Sequence, residues 1–119
     1  MEQHQQGDSF TWDPAQVQFY LSELQRKEKG IEGNELRKEL KNKPVLNANV
    51  LDYLLAHPYL IPEEWKGRTR YIFFWGTIYR GSRGVHVRYL ELNDGRLSWS
   101  SSWIGSDWHV DSPAALRAS

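Results

Sequence analysis

Few residues in this chain are of types that do chemistry, and they are scattered. His4, His57, His86 and His109 are its only imidazoles, and it has no cysteine. A metal would therefore have to be held by imidazoles and carboxylates alone. Asp107, His109 and Asp111 fall at i, i+2 and i+4, which on an extended segment would point all three the same way. The same residues also serve as turn and cap residues where Asp and Ser are frequent, so no metal ligand is assigned. SWSSSW, residues 98–103, offers hydroxyls but neither a nucleophile elbow nor a local base. There is no glycine-rich phosphate loop. No catalytic residue and no cofactor are implied.

The stronger signal is aromatic and cationic. RYIFFWGTIYRG, residues 70–81, carries the rings of Tyr71, Phe73, Phe74, Trp75 and Tyr79 between Arg70 and Arg80. Six Trp in 119 residues is more indole than a small core usually hides. The formal net charge is zero, but residues 1–65 hold seven Lys/Arg against eleven Asp/Glu, whereas residues 66–106 hold seven against two. Six of those seven central cations are Arg, the side chain suited to bidentate anion contact and to stacking on rings. Trp with Arg is also the pair enriched where proteins meet.

These residues must be positioned by elements that the local pattern defines. In FTWDPAQVQFYLSELQRKEKG, Asp13 and Pro14 suit a helix start. Val17, Tyr20, Leu21 and Leu24 repeat with helical spacing and Gly30 stops the run, so a helix is expected over Ala15 to Lys29. Asn34 opens a second helix, with Leu36 and Leu40 on one face, that ends before Pro44. NANVLDYLLAHP gives a third, capped by Asn47 or Asn49. Pro62 to Trp65 reads as a single turn. From Tyr71 the composition becomes β-branched and aromatic. YIFFWGTIYR, VHVRYLELN and RLSWSSSWI are expected as three strands joined at GSRG and NDG. Ser112 before Pro113 reads as the start of a short terminal helix.

The expected fold is α+β: N-terminal helices, then a three-stranded antiparallel β-meander and a short C-terminal helix. Residues 1–9 read as a disordered tail, 10–43 as a helical N-terminal arm and 44–119 as the α+β core. The polar MEQHQQGDSF has no apolar run of the signal-peptide kind, and no stretch reaches the ~20 apolar residues of a membrane span. A cytoplasmic location follows as the expectation.

Strand alternation assigns faces. Tyr71, Phe73, Trp75 and Tyr79 oppose Ile72, Phe74 and Ile78; Val85, Val87 and Tyr89 oppose His86, Arg88 and Leu90; Leu97, Trp99, Ser101 and Trp103 oppose the serines and Ile104. The first strand is apolar on both sides. It is therefore either central and doubly covered, or open with rings on offer. Gly76 in its middle signals a bulge or a close approach. The candidate contact residues are Tyr71, Trp75, Tyr79, Arg80, Arg88, Trp99 and Trp103. The expectation is a protein-interaction domain that engages a protein partner or a second copy of itself through this aromatic, Arg-bearing sheet. Single-stranded nucleic-acid binding by the same residues is the alternative.

Two resemblances bear on this. Small ribonuclease toxins of the RelE type also place helices before an antiparallel sheet, and Arg80, His86, Arg88 and Tyr89 resemble their active-site side chains in kind, not by motif. From about Leu46 the chain resembles a group of small uncharacterised bacterial proteins. The segments that carry this likeness are LIPEEWKG, FFWGTIYR and the terminal PAALRAS. That group carries no established activity. The likeness implies that Leu46–Ser119 is a unit with residues 1–43 as an added arm, and it transfers no catalytic residue.

Overall fold

The computed structural model describes residues 3–4, 17–27, 29–62, 65, 71–82, 84–93, 96–105, 107–109 and 112–117. Among them strands dominate. In chain order the elements are β1 (Gln3–His4), β2 (Val17–Tyr20), α1 (Glu23–Arg26), β3 (Ile31–Glu32), α2 (Gly33–Leu40) and α3 (Ala48–Ala56). A 3-10 turn, Pro58–Leu60, follows, and then β4 (Tyr71–Gly81), β5 (Gly84–Asn93), β6 (Arg96–Trp103), β7 (Asp107–Trp108) and β8 (Ala114–Arg117). The main sheet runs β2-β8-β4-β5-β6, with β1 paired to β4, and β3 pairs with β7 in a small second sheet.

The expected three-stranded meander is thus only the β4–β5–β6 part of a larger mixed sheet. The expected helix over residues 15–29 is not formed. Val17–Tyr20 is a strand, antiparallel to β8. The chain then restarts at Ser22, whose hydroxyl accepts from the Gln25 amide while the Gln25 side chain accepts from the Ser22 amide. This capping box places a helix start where a continuous helix would have its middle. Asp13 and Pro14 lie outside the described residues, as do Glu63, Glu64, Asp94, Gly95 and Asp111 and all of the expected tail except Gln3 and His4.

The expected C-terminal helix is also replaced by a strand. Ala114, Ala115 and Leu116 are all buried in β8, between β2 and β4. A strand covered on both faces reads as a continuous apolar run, and here its alanines mimic helix propensity. β8 meets β4 in parallel, with Phe73 beside Ala114, which makes the sheet mixed.

Central β4 is doubly covered. Ile72, Phe74, Leu90 and Ala115 pack on one face with Leu51 and Leu54 of α3. On the other, Phe73, Trp75, Ile78 and Val87 pack with Ile31, Leu36, Leu40 and Trp108. That explains why neither alternating set in YIFFWGTIYRG is polar. It also shows the segment before residue 44 docked on the sheet, by β2 at its edge and by α2 on its face.

Gly76 lies in the register irregularity between Phe73 and Ile78. There the chain entering α3 comes against β4: the Gly76 amide donates to the Leu46 carbonyl at 2.9 Å, and the Ala48 amide donates to Thr77 Oγ1 at 2.9 Å. Asn47 completes the helix start by accepting from the amides of Asn49 and Val50. β4 therefore fixes where α3 begins, and α3 in turn reaches the candidate site.

Candidate functional site on the outer strands

The pairing of β4, β5 and β6 lines up a row across the sheet. Tyr79 sits opposite His86, and His86 opposite Trp103; next along, Arg88 sits opposite Ser101, and Leu90 opposite Trp99. Cross-strand partners share a face, so Tyr79, His86, Arg88, Trp99, Ser101 and Trp103 all lie on the side that carries α3. Trp99 and Trp103 are the exposed members, at 52% and 54%. Four residues apart on one strand, they stand roughly 13 Å from each other.

Arg88 organises the row. Its guanidinium carbon lies 4.1 Å from the centre of the Trp99 ring, and its Nη2 donates to Asp52 Oδ1 of α3 at 3.0 Å. The side chain is 14% exposed, and its Nε is buried without a hydrogen-bond partner among the described residues. Burial disfavours the charged form. Hydrogen bonds to Tyr79 and Asp52 and the Asp52 charge more than offset that, so the Arg88 pKa lies above its ordinary value. The cation is thus fixed between two oxygens and a ring.

Trp103 is held differently. A Cβ at Gly105 would fall 2.4 Å from its Cζ2, and one at Gly84 would fall 3.0 Å from its Nε1. The indole rests on two glycines that leave it room, and more than half of the residue remains open to solvent. Aromatic cover of edge glycines is a structural device in its own right. His86, opposite Trp103, has a buried Nδ1 without a hydrogen-bond partner among the described residues.

Of the seven residues singled out from sequence, the fold gathers four: Tyr79, Arg88, Trp99 and Trp103. Trp75 is 2% exposed, packed 4.9 Å from Trp108 in the core, and presents no ring to the surface. Tyr71 is half-buried, edge-on to Tyr89 at 5.4 Å, on the face opposite α3. Arg80 is exposed, but it pairs with Val85, which puts it on that opposite face as well. The four side chains likened to the toxin site divide in the same way. His86 and Arg88 share the α3 face, while Tyr89 stacks on Phe73 at 4.7 Å on the other.

Asp52 is the member that sequence reasoning missed. It lies 36 residues from Arg88, and in the sequence it is one more acid on a helix. Also missed were Tyr53 and Tyr59, both exposed, whose rings lie 4.6 and 5.8 Å from the imidazole of His57. Among the described residues no three His, Asp or Glu side chains come together as a metal site. His109 packs against Gly30, and its carbonyl accepts from Gln25 Nε2 at 2.9 Å.

Comparison with protein-family models, curated proteins and solved structures gives no match for this chain. Among the described residues no helix is long and apolar enough to cross a membrane.

Proposed function

We propose that this is a cytoplasmic protein-interaction module, and that the β5–β6 face beside α3 is its contact surface. Trp99 and Trp103 supply the anchoring rings, and Arg88, held by Asp52 and Tyr79, supplies the cation between them. One observation carries this reading: two half-exposed indoles on the outer strand are each held in place by their surroundings. Rings whose freedom is already lost add contact area at little further entropic cost, and Trp and Arg dominate the energetics of such contacts.

The alternative, single-stranded nucleic acid, needs stacking rings and phosphate-seeking cations on the same surface. Here the Arg88 charge is balanced by Asp52, and Arg80 lies on the opposite face. That favours the protein partner.

The test is recovery of the tagged protein from a cell lysate, with and without nuclease, at low and high salt. A stoichiometric protein partner that survives both treatments is expected. Trp99→Ala should weaken its capture by roughly tenfold or more, as for an interface hot spot. Nucleic acid that vanishes with nuclease and falls steeply with salt would instead establish the single-strand reading.

A further inference from the structure

The geometry points to a second copy of this chain as the partner, joined edge to edge through β6 about a two-fold axis at Ser101. This rests on the reading above and names the occupant of the same surface. β6 is the last strand of the sheet, and among the described residues no strand pairs with its outer edge. The Ile104 amide donates inward to the Val85 carbonyl at 2.9 Å. Alternation along an antiparallel ladder then sends the backbone N–H and C=O groups of Leu97, Trp99, Ser101 and Trp103 outward. The side chains of Ser98, Trp99, Ser100, Ser101 and Trp103 are exposed around that edge.

Open edges in monomers are usually blunted by Lys, Pro, bulges or shortness. β2, at the other end of the sheet, is only four residues long. β6 is eight residues long, and its one charged residue, Arg96, is its first; from Leu97 to Trp103 it contains neither a charged residue nor a proline. Along that stretch it has none of those protections.

The sequence of the edge is complementary to itself. Antiparallel pairing about Ser101 sets that serine against its own copy and Trp99 against the second copy's Trp103. Outward backbone groups then meet outward backbone groups at each of these positions, and the indoles form two facing pairs on the α3 side. Such an isologous contact closes as a dimer and uses up the β6 edge of both copies. Charge does not oppose it. Arg88 lies one strand in, so it and its copy would stand three strand spacings apart, roughly 14 Å. That exceeds the Debye length of about 8 Å at physiological salt, and Asp52 balances each of them.

Sedimentation equilibrium of the full chain, up to about 100 μM, tests this. The wild type should sediment as two chains. Ser101→Pro removes an outward N–H and leaves the β5–β6 ladder its own bonds; it should sediment as one chain with an unchanged circular dichroism spectrum. Ser101→Lys and Ser101→Glu should each be single chains, and an equimolar mixture of the two should recover the two-chain mass. That mixture keeps the test decisive should the proline variant fail to fold. A wild type that stays a single chain, or a dimer indifferent to all three substitutions, would overturn the inference. The broader reading has its own criterion: it falls if Trp99→Ala weakens neither the dimer nor any captured protein partner. A single-chain wild type whose partner is a different protein, lost on Trp99→Ala, would sink the second copy and leave the contact surface standing.

Discussion

A Cβ at Gly76 would lie 2.7 Å from the Leu46 carbonyl oxygen and 2.8 Å from Asn47 Cα. Both neighbours are backbone, so relief would require the α3 entry to move off β4. Gly76→Ala is therefore expected to destabilise the protein by about 1–3 kcal/mol, the range for overpacking a tight site, seen as a lower midpoint in urea with the slope unchanged. Tyr20 makes a different kind of prediction. Burial first, and then its hydrogen bond to Glu39 at 2.7 Å, push its pKa up to about 12. The fold thus favours the protonated phenol. That contribution is whole below the unfolded value of about 10 and is lost as pH rises through the folded value. Thermal melts between pH 9 and 12 should show the wild type losing stability faster than Tyr20→Phe. Equal losses would mean that the phenol is not coupled to folding.

At the scale of elements, α3 shows how two unlike neighbours begin one helix. Asn47 caps its first amides from within the sequence, and Thr77 takes the Ala48 amide from 29 residues away. Asn47→Ala should cost about 1 kcal/mol, as for other cap losses. Thr77→Val should cost about 1–3 kcal/mol, because it leaves a buried donor unpaired; urea melts of both variants check the order. The pair also marks where the sequence was legible. α3 and the β4–β5–β6 hairpins could be read because caps, turns and periodicity are local; α2 was read from the spacing of Leu36 and Leu40, but its cap is Glu32, which accepts from the Asn34 amide, and not Asn34. Val17–Tyr20 and Ala114–Arg117 could not be read, because β2 is a strand only by pairing with β8, and β8 only by pairing with β2 and β4. Val17 and Tyr20 are three apart, and helical spacing and this edge strand, half-buried at both ends, satisfy them equally. The capping box at Ser22 and Gln25 was the one local clue against a long helix. The site followed the same rule. Trp99, Trp103 and Arg88 could be found from residue type, whereas strand parity put Tyr79 with Tyr71 and Trp75, and the register shift between Phe73 and Ile78 turns it to the other face. Trp75 and Arg80 were misplaced because the register break at Gly76 and the cover over β4 are long-range facts, and Asp52 left no local trace.

At the scale of the whole molecule, the question is whether the part before residue 44 is an addition or part of the core. Ile31, Leu36 and Leu40 are buried in the same cluster as Phe73, Trp75 and Trp108, while β2 covers the outer edge of β8. At roughly 1.5–3 kcal/mol for each buried aliphatic side chain, those three alone contribute about 5–9 kcal/mol. That matches the entire net stability of a small domain, about 5–15 kcal/mol. Removing residues 1–43 would also expose Trp75 and Trp108 and open β8 as a second edge. The truncated chain is therefore expected to lose its cooperative thermal transition and to bind a dye for exposed apolar surface, even though every strand of the β4–β5–β6 hairpins remains. A truncated chain that melts cooperatively, with native near-ultraviolet dichroism from its buried indoles, would make residues 44–119 a self-sufficient unit. It would also leave the contact surface on β6 testable without its covering layer. The expected outcome instead ties that surface to the full chain: Trp99 and Arg88 keep their positions because β5 is anchored to β4, and β4 is held from both faces at once.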